Sequence, residues 1–359
     1  MVYQRQFILN LGVLFISTAC MSTNRASNVL VFGGQEVVDP SDPVYQSTVS
    51  ILMNYEGQKL SLCTGTVISP QLVVSSAHCF ADFSGDKLWV GFGQDPRAGE
   101  LFEVTHVAYP AAYYTANALT TGIATYQYDV ALLATKQTLS SPLKAVPISN
   151  AKDPTSEGLL QAGYGYSDRI KGETRDDLSY PMYGKLRKVS GKTLVQSSEI
   201  PQEMRSPLNQ DPWVLTSNSG KGADTQGGDS GGPLYHLSDK GLILLGNLRG
   251  GSEYRMTDEG YSHYTNLAHY QTWLNCAAAS TPYPLPVPLV PSEGVDQMPC
   301  EKDAASPIGQ LFSRNRKLCQ SIPGFDIKPQ EGSSCWPATA EACRKLGLGI
   351  WNETTATCE

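Results

Sequence analysis

Positive charge is scarce in this 359-residue chain, where 27 Lys and Arg stand against 34 Asp and Glu for a formal net charge of −7. A basic footprint for nucleic acid is therefore missing, and so is a polybasic patch for a membrane surface. Long hydrophobic runs are missing too. The longest N-terminal one, residues 7–16, is broken by Asn10 and Gly12 and falls short of the roughly 20 apolar residues that span a bilayer as a helix. No long helical periodicity precedes Ala268, and strands do not alternate with helices, which argues against a parallel α/β sheet. No metal-ligand cluster and no phosphate loop is visible, so neither a metal nor a cofactor is expected.

Short runs rich in β-branched and aromatic residues recur instead, separated by Gly, Pro, Asn and Asp. They fall at residues 48–52, 67–68, 72–74, 88–92, 130–134, 159–163, 184–189, 194–196 and 242–248. Such spacing reads as antiparallel strands joined by turns, in barrels or a sandwich. Hydrophobic residues make up 41% of the chain, enough to fill a core. Near the end of this region Leu267, Tyr270 and Leu274 stand at helical spacing.

The N-terminus reads as an export signal over residues 1–19, with Arg5, the apolar stretch and then the small residues Ser17-Thr18-Ala19. Cys20 follows directly, and small residues before a cysteine resemble a bacterial lipoprotein cleavage box, although Ser17 stands where that pattern usually has Leu. Two fates stay open, a lipid anchor at Cys20 or ordinary secretion. Both place the protein outside the cytoplasm or in the cell envelope. The nine cysteines are an odd number, and setting Cys20 aside leaves eight, enough for four bridges in an oxidising compartment. Residues 20–30 are polar and short, as a linker or propeptide would be.

Beyond residue 275 the composition changes. In residues 276–299 proline alternates with apolar residues, which favours an extended polyproline II spacer. Residues 300–359 hold Cys300, Cys319, Cys335, Cys343 and Cys358. A segment this small has little room for a core, so disulfides are expected to stabilise it. With Cys276 there are six cysteines and fifteen connectivities. Residues 347–352 faintly resemble small chitin-binding modules, so contact with a surface or glycan is one expectation and a spacer role the other.

The chemistry concentrates in Thr225-Gln226-Gly227-Gly228-Asp229-Ser230-Gly231-Gly232-Pro233, a serine among glycines with an acid before it. A serine hydroxyl is a weak nucleophile without a base to take its proton. Val74-Ser75-Ser76-Ala77-His78-Cys79 supplies a histidine at the end of an apolar run, and Tyr128-Asp129-Val130-Ala131-Leu132-Leu133 an aspartate leading into one. His106, His236, His263 and His269 read as structural, and Asp86 and Asp95 are weaker substitutes for Asp129.

These three motifs, in the order His, Asp, Ser, resemble the trypsin/chymotrypsin family of serine peptidases across residues 31–275. The resemblance implies an all-β fold of two six-stranded antiparallel β-barrels with a short C-terminal helix, here followed by the small disulfide-rich module. It implies Ser230 as nucleophile, His78 as general base and Asp129 as its orienting acid, with the N–H groups of Gly228 and Ser230 as the oxyanion hole. A Cys63–Cys79 bridge would hold the histidine loop. Val31-Phe32-Gly33-Gly34 corresponds to the N-terminus that activation cleavage creates, whose ammonium pairs with Asp229.

Asp224, six residues before Ser230, holds the place of the acid that selects Arg or Lys, with Gly251 and Ser262 on the pocket wall. The chain departs from the family nearby: Gln226 replaces a cysteine, Arg249-Gly250-Gly251 stands where Ser-Trp-Gly is usual, and Ser262 replaces a glycine and would narrow the slot. The expected protein is a monomeric endopeptidase acting on protein or peptide substrates. A catalytically weak binding or adhesion protein of the same fold is the alternative. An esterase is disfavoured because Gly228-Asp229-Ser230-Gly231-Gly232 lacks the βαβ surroundings of a nucleophile elbow.

Overall fold

The structure is a computed structural model and describes residues 34–55, 57–81, 83–117, 127–151, 155–165, 184–190, 193–195, 213–217, 225, 227–251, 261–302, 304–327, 335–346, 351–352 and 357–358. The export signal, Cys20, the propeptide, Val31, Asp224 and Gln226 lie outside the described residues.

The first half of the chain runs β1 (Gln35–Glu36), α1 (Pro43–Ser47), β2 (Thr48–Tyr55), β3 (Gln58–Ser69), β4 (Leu72–Ser75), α2 (His78–Ala81), β5 (Leu88–Gly91), β6 (Phe102–Ala108), α3 (Ala112–Asn117) and β7 (Ala131–Thr135). The second runs β8 (Leu159–Gly163), β9 (Arg187–Ser190), β10 (Thr193–Leu194), β11 (Trp213–Ser217), β12 (Pro233–Ser238), β13 (Gly241–Gly251), β14 (Tyr261–Asn266) and α4 (Gln271–Ala279). The tail adds β15 (Ala305–Pro307), α5 (Ile308–Gln320), β16 (Phe325–Ile327), β17 (Cys335–Pro337) and α6 (Ala340–Leu346).

Strands β2 to β7 form one sheet in the order β6-β5-β2-β3-β4-β7, and pairing of β6 with β7 closes it into a six-stranded antiparallel barrel. The second sheet runs β1-β9-β8-β12-β13-β14-β11-β10. The fold is all-β as expected, with one closed six-stranded antiparallel barrel and, in the place of the second expected barrel, a sheet of eight strands among the described residues.

Side-chain alternation explains how the layers meet. Along β4, Val73 points into the first barrel with Val49, Ile51, Val67 and Leu133, while Leu72 and Val74 face the second sheet. Along β7, Leu133 joins the barrel interior while Leu132 and Ala134 face Leu160, Ala162, Tyr235 and Leu244 of the second sheet. Both strands are buried on both faces, which is why they read as unbroken apolar runs rather than as polar–apolar alternation. Trp273 and Leu274 of α4 are wholly buried in the same interface.

The proline-rich stretch, expected as an extended polyproline II spacer, lies against the second layer. Tyr283, Leu285 and Leu289 pack on its core, and Asn275 exchanges two hydrogen bonds of 2.8 Å with the backbone of Leu289. An extended chain with apolar residues between prolines presents an apolar face, and here that face is covered while Val287 and Val290 stay 75% exposed.

The tail is likewise more than a disulfide-held appendage. Leu311, Cys319, Phe325, Ile327 and Ala342 are buried in one continuous cluster with the first barrel's interior, and β15 adds to the barrel by pairing with β6. Cys276–Cys300 and Cys319–Cys335 are bridged, and Cys343 is disulfide-bonded as well. No helix of the described residues is long and apolar enough to cross a membrane.

Candidate active site

His78 opens the single-turn helix α2, and Asp129 sits just before β7, across the mouth of the first barrel. The Nδ1 atom of His78 is 2.7 Å from Asp129 Oδ2, and the His78 backbone N–H donates to Oδ1 at 2.9 Å. A carboxylate only accepts, so Nδ1 is the ring nitrogen that donates in this pair. Asp129 is completely buried, and these charge-assisted hydrogen bonds offset its desolvation.

The backbone around Asp129 is held from three directions. Asn117 accepts from Gln127 N at 2.7 Å and donates to Gln127 O at 2.9 Å, fixing the approach to the acid. Tyr128 then takes φ 54°, a left-handed conformation that costs a bulky residue about 1 kcal/mol or more and turns the next carboxylate inward. From the second sheet, Asn247 Nδ2 and Thr265 Oγ1 donate to the Asp129 carbonyl at 2.9 and 3.0 Å. Asn247 also donates to Ser76 Oγ at 2.6 Å, and Ser76 donates to Leu248 O at 2.7 Å. Both barrel layers therefore fix one histidine–aspartate pair.

Ser230 lies in the turn before β12, and Thr64 of β3 grips that turn at two points. Its N–H donates to Ser230 O at 2.8 Å and its hydroxyl to Gly228 O at 2.8 Å, while the same hydroxyl accepts from Tyr164 N at 3.0 Å. Thr64 adjoins Cys63, which is bridged to Cys79 beside His78. The Cys79 sulfur lies 4.0 Å from the Ser230 carbonyl oxygen. Nucleophile turn and histidine loop are thus tied through two adjacent residues.

Among the described residues the Ser230 hydroxyl is not hydrogen-bonded to His78, and no protein acceptor takes the N–H of Gly228 or Ser230. Gly228 has φ +93°, open to glycine and strained for other residues. At Gly231 a Cβ would stand 2.1 Å from Ser75 Oγ and 2.5 Å from Thr64 O, so only glycine lets the turn close on the first barrel.

Asp229 points the other way, is buried, and accepts from Gly165 N at 2.7 Å. Its expected partner Val31 lies outside the described residues. Gly251 and Ser262, expected on a pocket wall, are register partners across β13 and β14, and Ser262 is fully enclosed. Arg249 on β13 is also buried, and it stands near His263, whose imidazole is pushed down to about 3 by burial first and by the Arg249 charge second. Cys63, His78 and Cys79 are close enough to suggest metal ligands, but the two sulfurs are bonded to each other. The positioning roles of Thr64, Ser76, Asn247 and Thr265 escaped sequence reasoning.

A family model described as Trypsin matches residues 32–274. Kallikrein-8 of Homo sapiens is 26% identical over 277 residues, covering 73% of this chain and 92% of that protein. Transmembrane protease serine 11C of Mus musculus is 25% identical over 262 residues, covering 68% of this chain and 52% of the relative. Glucanase inhibitor protein 4 of Phytophthora infestans is 28% identical over 232 residues, covering 62% and 79%.

Proposed function

The chain belongs to the trypsin family of serine peptidases, and from that membership we propose that it is an active endopeptidase using Ser230, His78 and Asp129. The observation that carries the proposal is the 2.7 Å contact of His78 Nδ1 with the buried Asp129 carboxylate, because it assigns Nδ1 to the acid and so gives Nε2 the role of base.

In the proposed mechanism His78 Nε2 takes the Ser230 hydroxyl proton as Ser230 Oγ bonds to the substrate carbonyl carbon. The carbonyl π electrons move onto oxygen, and the N–H groups of Gly228 and Ser230 stabilise that oxyanion. Donors of this kind are worth roughly 3–4 kcal/mol each. His78 then gives its proton to the leaving amine as the C–N bond breaks, and water releases the acyl group by the reverse proton path. Asp129 stabilises the imidazolium that forms in both halves. In free enzymes the serine–histidine bond is often long and tightens only on substrate binding.

Cleavage after Arg or Lys is proposed on Asp224: an acid at the pocket base would be poorly solvated once a substrate side chain fills the slot, and losing the partner of a buried charge costs roughly 3–5 kcal/mol. Ser262, where the family has glycine, would narrow the slot and is expected to lower the rate. Export, with a lipid anchor at Cys20 or free secretion, and activation by cleavage before Val31 complete the proposal. Leu30 precedes that bond, so a different peptidase must make the cut. A binding protein is the second reading, favoured by Arg249-Gly250 in place of the family's usual Ser-Trp and by a relative whose name is that of an inhibitor.

A fluorophosphonate probe separates the two. Labelling stoichiometric with protein, abolished by Ser230→Ala and accompanied by peptide cleavage, is expected. A chain beginning at Val31 that neither labels nor cleaves would refute the enzyme. Profiling of cleaved peptides should show Arg and Lys before the scissile bond, a preference that Asp224→Ser removes.

A further inference from the structure

Helix α2 has four residues, too few to hold its own shape, because a single helical turn is unstable without tertiary contacts. What fixes it therefore fixes His78. The Cys63–Cys79 bridge acts at its second residue and the Asp129 carboxylate at its first N–H. A third contact comes from beyond the part of the chain that resembles the family, residues 32–274.

Asn315 is completely buried in the middle of α5. Its Nδ2 donates to the carbonyls of both Phe80 and Ala81, each at 2.9 Å, and its Oδ1 accepts from the Tyr109 hydroxyl. The last carbonyls of a helix have no partner within it, and a carboxamide carries two N–H donors. Asn315 thus reaches both carbonyls at the C-terminal end of the histidine turn, where Phe80 O also accepts from Phe83 N at 3.1 Å and Ala81 O from the Tyr114 hydroxyl. Asn315 is held in place in turn: Arg314 donates to Tyr109 O at 2.8 Å and stacks 4.3 Å from that ring, β15 pairs with β6, and Leu311 and Cys319 anchor the same helix face in the barrel core.

We propose that Asn315 is a positioning residue for catalysis, and that the C-terminal extension serves as a built-in brace setting the orientation of His78. The proposal rests on His78 being the general base. Losing the brace lets the turn rock about the disulfide, so the Nε2 lone pair meets the Ser230 proton less often in line, whereas substrate contacts are untouched. The signature is a fall in kcat with little change in KM.

The test uses the full chain with Asn315→Leu, which is similar in size but has no donor, and Asn315→Asp, which keeps shape and the Tyr109 acceptor without the N–H groups. Leu159→Ala is the control for lost stability alone, because it removes buried packing in a cluster separate from the one that holds α5. Two readouts are taken: steady-state peptide hydrolysis, and solvent exchange of the His78 Nδ1 proton by its downfield proton resonance. Misplacement of a catalytic group by about 1 Å can lower rates up to 100-fold, so a kcat loss of roughly tenfold is expected for both Asn315 variants. Their KM should stay within about twofold and the Nδ1 proton should exchange roughly tenfold faster. Leu159→Ala should lose as much thermal stability with kcat within about twofold. Activity losses in all three that follow stability, or an Nδ1 proton unchanged by both Asn315 variants, would overturn the brace. Should the wild type show no peptidase activity, the proposed function fails, and the proton readout alone decides the brace.

Discussion

Thr64→Val isolates one hydroxyl at the junction of both barrel layers and the nucleophile turn. Valine matches threonine in shape, so the barrel loses no volume at a site that is fully buried. Two hydrogen bonds vanish, the donation to Gly228 O at 2.8 Å and the acceptance from Tyr164 N at 3.0 Å. Tyr164 is 1% exposed, so its N–H cannot turn to water, and a buried unsatisfied group of this kind costs about 1–3 kcal/mol. Gly228 is only partly buried and its carbonyl can be hydrated, which adds less. The expected destabilisation is on the order of 2–4 kcal/mol, read from urea unfolding. Catalysis should suffer separately. The freed Gly228 carbonyl lets the turn swing, and its N–H leaves the oxyanion position for part of the time. Complete removal of one such donor lowers kcat by roughly 100- to 1,000-fold, so partial misplacement should lower it at least about tenfold. Thr64→Ser restores the hydroxyl and should recover kcat to within a few fold while remaining somewhat unstable. Wild-type kcat in a destabilised Thr64→Val enzyme would refute the idea that this hydroxyl orders the turn.

Two further expectations concern the acid and the enclosed histidine. Asp129→Asn presents a carboxamide N–H where His78 needs an acceptor and reverses the imidazole tautomer. It should lower kcat by roughly 10⁴-fold with the fold retained, checked by kinetics beside circular dichroism. His263 titrates near 3 when folded and near 6.5 when unfolded, so the unfolded chain binds the extra proton between those values. The stability that follows from keeping it neutral is complete above about pH 6.5 and declines as pH falls toward 3, by up to about 1.4 kcal/mol per pH unit. His263→Gln should flatten that slope in urea midpoints measured from pH 4 to 7, and an unchanged slope would mean another group titrates.

The nucleophile motif and the histidine loop were legible because their chemistry is local: glycines on either side of Ser230, and a cysteine beside His78. Strand β6 was missed. Glu103, Thr105 and His106 interrupt it, and a bulge between Val104 and His106 breaks the alternation. Most of β3 was missed as well, since Gln58, Lys59 and Ser61 hide the pattern before the apolar half begins. Helix α5 did carry a readable signal, with Ile308, Leu311, Phe312 and Cys319 on one face at helical spacing. Asn315 falls in that stripe, and a lone amide on an apolar face is the mark of a buried polar group with a dedicated partner. The identity of the partner could not be read. Phe80 lies 235 residues away along the chain, and nothing local links the two.

The same distance argument bears on where the peptidase ends. Sequence composition draws a boundary after residue 275, inside helix α4 and a few residues before the prolines begin, and the family match stops at residue 274. Packing draws none. Beyond that point Met298 N donates to His269 O at 2.8 Å, Gln297 Nε2 to Ala268 O at 2.7 Å, and the Cys276–Cys300 bridge ties α4 to the tail. Leu311 and Cys319 then enter the interior shared with Val73 and Leu133. A boundary in composition records a change in local backbone preference, proline against helix. A boundary in folding requires that few buried contacts cross it. Here the crossing contacts include two fully buried side chains in the first barrel's cluster and a strand on its edge, so the tail and the barrel share one core, and the histidine turn lies directly against their junction.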